Sequence, residues 1–192
     1  MKKITLILIF FINVFTNANT QEIKRIIVGN IDAKITIIAY ESLTCSHCAS
    51  FHKNVYPQLK EEFLDTGLAK IEFRHFPLDM AALNASIISQ CKNDGNSDIL
   101  QSLYNNQQMW VKGSTVEEAN KNIQKYLRNE GFKINFETCV NNKQIEDFVL
   151  NDRIEGAKTF KVDATPTIII NNKKFEKTLN YISFSKDFFK FL

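Results

Sequence analysis

Two of the four cysteines in this 192-residue chain stand three positions apart, Cys45 and Cys48, with Ser46 and His47 between them. Sulfurs at that spacing can close a small ring only where the backbone bends, and the first turn of a helix supplies the bend. The apolar run over residues 34–40 alternates like a strand, so the pair stands at a strand-to-helix junction. There the unpaired N–H groups and the positive end of the helix dipole favour a thiolate on Cys45, below the ordinary thiol value of about 8.5. A protonated or donating His47 would stabilise it further. The more stable that thiolate, the more readily the disulfide is reduced, which describes a dithiol that hands its disulfide to another molecule.

Other uses of two cysteines need other partners. A zinc site requires a second pair of ligands at suitable spacing, and Cys91 and Cys139 stand singly. A Cu(I) site would suit soft thiolates, but only His47 and His52 are close by as added ligands. His47 also reads as a plain surface residue. His52 packs beneath the helix or contributes field, and His75 reads as a hydrogen-bonded structural histidine.

The elements that position the pair follow from periodicity. Cys48, Phe51, Val55, Leu59 and Phe63 recur at three or four residues and form one buried stripe, which makes Cys48 the protected, resolving sulfur. Pro57 should kink this helix and Gly67 end it. Residues 69–76 return as a strand in which Ile71, Phe73 and His75 alternate with Glu72 and Arg74. Strand, helix and strand make a βαβ unit with parallel strands, and the cysteines lie at the carboxyl end of the first. A shorter strand over residues 24–28 precedes them.

From residue 78 to 160 the pattern is helical. Ser97 is expected to cap one segment, and Thr115 with Glu118 reads as a capping box opening another. Then come Thr165 and Pro166, an apolar strand over 168–170, a tight turn at Asn171 and Asn172, and a second strand over 173–177, the pattern of a hairpin. A last helix, with Ser183 as its cap, sets Phe184, Phe188 and Phe191 on one face.

Residues 1–18 have a different character. Lys2 and Lys3 precede an apolar run too short to span a bilayer, the layout of a cleaved export signal. Removing it takes two of the 24 basic residues and leaves 22 against 21 acidic ones, a balance that points to no nucleic acid. The mature protein is expected to be soluble and extracytoplasmic, where disulfides persist.

The run Ser42, Leu43, Thr44, Cys45, Ser46, His47, Cys48, followed by Phe51 and His52, a helical insertion and a late Thr165–Pro166, resembles the DsbA family of the thioredoxin superfamily, in its alphaproteobacterial branch. The resemblance implies an α/β, thioredoxin-like fold: a central mixed sheet flanked by helices, built from residues 19–77 and 161–192, with an all-helical subdomain inserted over 78–160. It implies a periplasmic thiol:disulfide oxidoreductase, monomeric and without a cofactor. The enzyme would oxidise reduced exported proteins and be reoxidised by a quinone-linked membrane oxidase of the DsbB type. By the same resemblance Pro166 is cis, and the backbone of Thr165 pairs with a bound peptide. A disulfide isomerase or reductase would use the same residues kept reduced, but the short stretch ahead of Lys34 leaves no room for the added dimerisation domain of such isomerases.

Two departures concern tuning. Relatives often carry a buried acid near the end of the first central strand, where this chain has Ala39; Glu41 is the nearby candidate for deprotonating Cys48, or else a surface loop charge. Glu41 and Ser46 are therefore candidate modulators. Asp163 and Ala164 occupy the approach to Pro166, where relatives often have glycine. The branch also carries two further cysteines in its helical part. Linking Cys91 to Cys139 would close a loop of about 49 residues and stabilise the fold by about 4 kcal/mol in the chain-entropy account. Two unpaired buried thiols, or a bond that regulates the active pair, are the rival readings.

Overall fold

The computed structural model describes residues 22–190; the expected export signal and Phe191 lie outside the described residues. Five strands, β1 (Ile26–Gly29), β2 (Ile35–Glu41), β3 (Ala69–His75), β4 (Thr167–Ile170) and β5 (Lys173–Lys174), form one mixed sheet. Its order is β1-β3-β2-β4-β5. As the βαβ pattern requires, β2 and β3 run parallel, while the other three pairings are antiparallel.

The central strands explain their own composition. In β2, Ile35, Ile37 and Ala39 face the main core, and Ile38 and Tyr40 face a second cluster with Phe76, Val162 and Ile169. Burial on both faces is why β2 and β4 read as nearly continuous apolar runs. β3 instead alternates, with Ala69, Ile71 and Phe73 in the main core and Lys70, Glu72 and Arg74 half-buried on the other side.

After β2 come α1 (Ser46–Asn54) and α2 (Tyr56–Leu59), the latter running into a π-helical turn (Lys60–Leu64). The expected single kinked helix is thus broken, at Val55. Pro57 sits in the first turn of α2, where its missing N–H leaves no bond unmade. The insertion follows as α3 (Met80–Gln90), α4 (Asp98–Asn105), α5 (Gln107–Trp110), α6 (Val116–Asn129), α7 (Phe136–Val140) and α8 (Lys143–Thr159). Helix α9 (Tyr181–Phe188) closes the chain against the π-helical turn, with Phe188 and Phe63 ring centroids 4.0 Å apart. Gly156 lets α8 lie on the sheet: a Cβ there would sit 2.6 Å from the Tyr40 ring.

Two expected caps are replaced by neighbours. Asn96 Oδ1, not Ser97, accepts from the Asp98 N–H at 2.9 Å, and Asn180 Oδ1 accepts from the N–H of Ser183, which lies inside α9. In both cases a longer amide side chain one or more residues upstream reaches the free N–H first. Thr115 does cap α6, its hydroxyl accepting from Glu118 N–H at 3.2 Å, but the Glu118 carboxylate reaches Ser114 N–H rather than that of Thr115.

Cys91, just after α3, and Cys139, in α7, are joined by a disulfide with Cα atoms 5.5 Å apart, so they are not the two unpaired thiols of one rival reading. His75 is buried, accepts from the Gln90 amide at 3.2 Å, and is pushed down to about 3 by burial and by the nearby Arg25 charge. It is a neutral structural group.

Candidate active site

The geometry begins at the end of β2. The chain turns through Ser42 to Thr44, with Cys45 N–H donating to Ser42 O at 3.0 Å, and Cys45 becomes the N-cap residue of α1 in extended conformation. The first N–H groups of a helix have no intrahelical acceptor, so those of His47 and Cys48 are available to the Cys45 sulfur.

That sulfur is half-buried, while Cys48 is fully buried, and both are free thiols. The Cys48 thiol does most to hold Cys45 as thiolate, burial opposes it, and Thr165 and the N–H groups of Cys48 and His47 add to it. Together they lower Cys45 to about 5. Burial, the Cys45 sulfur and the Glu41 charge all push Cys48 far up, so it stays a thiol. The two sulfurs of one turn are driven in opposite directions.

The structure brings the late hairpin to the same place. The Thr165–Pro166 peptide is cis, and Cys45 Sγ, when protonated, donates to Thr165 O at 3.3 Å. The Thr165 hydroxyl is buried and has no hydrogen-bond partner among the described residues. Beside Pro166 lies a cavity of about 510 Å3, with His47, Phe51, Val55, Leu179 and Tyr181 in its wall. On the other flank of Cys45 a second, of about 570 Å3, is lined by Leu78, Met80, Trp110 and Val111. Leu78 and Met80 are exposed, and no lysine or arginine other than Lys112 lines either cavity.

His47 is exposed, and its backbone N–H is one of the groups that lower Cys45. Ser46 is exposed at the first position of α1. Glu41 is corrected most. It is the last residue of β2, 3 % exposed, and so not a surface loop charge. What makes its burial tolerable is His52, whose Nε2 lies 2.8 Å from Glu41 Oε2. Desolvation raises the carboxyl above its ordinary value, against the pull of His52.

Three side chains with no signal in the sequence complete the site. Gln107, in α5, donates both amide hydrogens, to Leu43 O at 2.8 Å and Cys45 O at 3.0 Å, and so ties the reactive turn to the helical insertion. Gln101 of α4 meets His52 Nδ1 at 2.8 Å. Asp79, the cap of α3, accepts from Thr44 Oγ1 at 2.7 Å. Among the described residues no group of three or more His, Cys, Asp and Glu side chains could hold a metal ion, and His52 is engaged by Glu41 and Gln101 rather than turned to Cys45.

Comparison with known proteins gives the arrangement its relatives. A family model described as thioredoxin matches residues 21–187. The chain is 29 % identical over 166 residues to a protein-disulfide oxidoreductase, so named, of Rickettsia bellii; the match covers 84 % of this chain and 62 % of that one. It therefore spans just under two thirds of that relative's length. The crystal structure of Wolbachia pipientis alpha-DsbA1 superposes with a TM-score of 0.77 at 29 % identity, covering 87 % of this chain and 90 % of that one. BdbD from Bacillus subtilis, at 22 % identity and a TM-score of 0.71 over 87 % of this chain and 92 % of that one, shares the fold.

Proposed function

The chain belongs to the thioredoxin family, with a DsbA-like fold, and from that premise we propose that it is a thiol:disulfide oxidoreductase that donates its Cys45–Cys48 disulfide to reduced proteins. The observation that carries the reading is the opposition of the two sulfurs. Cys45 is accessible and held toward thiolate, whereas Cys48 is buried and held toward thiol. A disulfide whose reduction yields so stable a thiolate is a ready electron acceptor.

The reaction follows from access. A substrate thiolate attacks Cys45 Sγ, the sulfur within reach; the Cys45–Cys48 bond breaks and its electron pair leaves with Cys48. Cys48 takes up a proton, for which Glu41 at the end of β2 is the nearby donor. A second substrate thiolate then attacks the substrate sulfur of the mixed disulfide and expels Cys45, a good leaving group because its thiolate is stable. Two electrons have moved from the substrate dithiol to the enzyme dithiol. Thr165, Pro166 and the two flanking cavities are the surface on which an extended, apolar substrate segment lies.

The substrates that fit are unfolded, newly exported proteins, and the site of action is outside the cytoplasm. Reoxidation then falls to a quinone-linked membrane oxidase of the DsbB type, which would approach the same exposed sulfur. The Cys91–Cys139 bond serves as a structural clip on the insertion.

The test is single-turnover transfer. The oxidised protein, mixed anaerobically with a reduced two-cysteine peptide, should convert one peptide to its disulfide per chain, and Cys48→Ser, first carrying thionitrobenzoate as a mixed disulfide on Cys45, should release that group to a one-cysteine peptide and hold the peptide on Cys45. A peptide that stays reduced would defeat the reading.

A further inference from the structure

Charge is spread unevenly along the chain. Residues 22–157 carry 15 lysines and arginines against 18 acidic residues, a formal −3, whereas residues 158–192 carry seven lysines against three acidic residues, a formal +4, and no arginine. Such an asymmetry within one small protein marks the basic end as the part that meets an anionic partner.

The fold gathers these lysines at one edge. β5, the outermost strand on its side of the sheet, consists of Lys173 and Lys174, both exposed. Lysines on an edge strand guard it against pairing with another chain, and these two alone would need no further account. The rest of the patch lies off the strand. Lys177 and, just past α9, Lys190 share with them the wall of a cavity of about 400 Å3, in which Glu176 is the acid. Lys174 Nζ donates to Lys161 O at 3.4 Å, which brings the turn after α8 to the same edge. Asp163 lies 3.7 Å from Lys174, but it is 87 % exposed and offsets that charge only in part.

Helix α9 adds apolar side chains to the charge. Phe184 and Phe188 are buried, while Ile182 and Phe189 are 67 % and 60 % exposed. Phe189 N–H donates to Ser185 O, so the last helical turn carries on through it. Ile182, the exposed Lys186 and Phe189 follow at spacings of four and three and form one line on the outer face. Exposed apolar side chains set among lysines suit the headgroup layer of a membrane, where the ammonium groups meet phosphates and the apolar chains reach the acyl boundary. The absence of arginine from this stretch fits the same partner: a lysine is a point charge on a flexible stem and follows a fluid array of headgroups, whereas the arginine fork suits a fixed anion. The nearby acids Glu61 and Glu62 stand beside Tyr181, at the opposite end of α9 from Lys190.

We propose that β5 and the outer face of α9 form a docking surface for an anionic phospholipid membrane. Neither part holds the protein alone; the lysine patch and the short apolar line together give reversible attachment. The proposal goes beyond the disulfide-donor reading and does not depend on it. Its consequence for the reactive site is positional. Residues 178–181 lead from Lys177 to the cavity beside Pro166, which Leu179 and Tyr181 line, so a docked protein holds its reactive cleft at the membrane surface.

Co-sedimentation with vesicles tests this. The chain used begins at Asn19, which keeps every element of the fold and leaves out the apolar run after Lys3 that would enter bilayers by itself. It should sediment with vesicles of equal parts phosphatidylglycerol and phosphatidylcholine, stay in solution with phosphatidylcholine alone, and be released by rising salt. Lys173→Gln/Lys174→Gln/Lys186→Gln should weaken binding by about 10²-fold, since each lysine near an anionic surface is worth about 5-fold. Ile182→Ser/Phe189→Ser should weaken it by about 10-fold, with the salt dependence kept. Circular dichroism checks that both variants fold, and if the serine pair does not, the lysine variant and the two vesicle types decide alone. Equal binding to both vesicle types, or wild-type binding by the lysine variant, would overturn the proposal. Wild-type binding by a folded serine variant would make the patch a site for soluble polyanions and overturn the lipid assignment. No thiol takes part in this measurement, so failure to oxidise peptides would defeat the donor reading without touching this result.

Discussion

The chain carries two cysteine pairs, each with one half-buried and one buried member, and what surrounds their sulfurs differs. Cys45 and Cys48 lie within one helical turn, beside two cavities, with the N–H groups of His47 and Cys48 available to the Cys45 sulfur. Cys91 and Cys139 are 48 residues apart, and both pack among apolar side chains of the insertion. One pair opens onto two cavities, the other joins two helical segments. A disulfide becomes a reagent when one of its two thiols is reachable and far easier to ionise than the other, and the first pair is built that way.

The largest effect should come from exchanging the roles. Cys45→Ser should abolish disulfide transfer altogether, measured as peptide oxidation, whereas the double variant Cys91→Ala/Cys139→Ala should retain transfer. What the double variant should lose is stability, by about 4 kcal/mol in urea unfolding, the chain-entropy value for a loop of this length. Unchanged stability with altered transfer would make the second pair a regulator and collapse the distinction.

Gln107 is the side chain through which the insertion reaches the reactive turn. Gln107→Ala leaves the Leu43 carbonyl buried without that donor and should cost about 1–3 kcal/mol, again by urea unfolding. A smaller effect is expected from Thr165→Val, which removes a buried hydroxyl near Cys45 and keeps the Thr165 carbonyl that meets its sulfur. The Cys45 value should rise above about 5, read from thiolate absorbance near 240 nm, because a polar group near the thiolate is lost.

The pH dependence of stability separates the pairs once more. Cys45 is lowered in the folded state, so the stabilisation it gives the dithiol form is fully present above the ordinary thiol value and is lost as pH falls through about 5. Melting of the dithiol form should therefore approach that of the disulfide form on acidification from pH 8 to pH 4. The Cys91–Cys139 bond carries no ionisable thiol and should contribute equally throughout.

Much of this was legible in the residues. The spacing of Cys45 and Cys48, the stripe that buries Cys48, the parallel β2 and β3, and the hairpin behind Thr165–Pro166 all follow from local pattern. What was not legible depends on contacts across long separations. Glu41 looks like a loop charge until His52, eleven residues on, faces it at the end of β2. Gln101 and Gln107 lie in a polar stretch of the insertion and acquire their roles only when α4 and α5 pack against α1 and its preceding turn. The caps at Ser97 and Ser183 failed for a related reason: residue type marked the helix starts, but competition between neighbouring polar side chains chose the capping atom.

The central claim is that the Cys45 thiolate makes this dithiol an oxidant, and its reduction potential tests that most directly. Equilibrated against glutathione, with Cys91→Ala/Cys139→Ala in a parallel sample, the Cys45/Cys48 pair should give a value near that of the strongly oxidising DsbA, about −120 mV. A value near that of thioredoxin, about −270 mV, would contradict the account and make the protein a reductant.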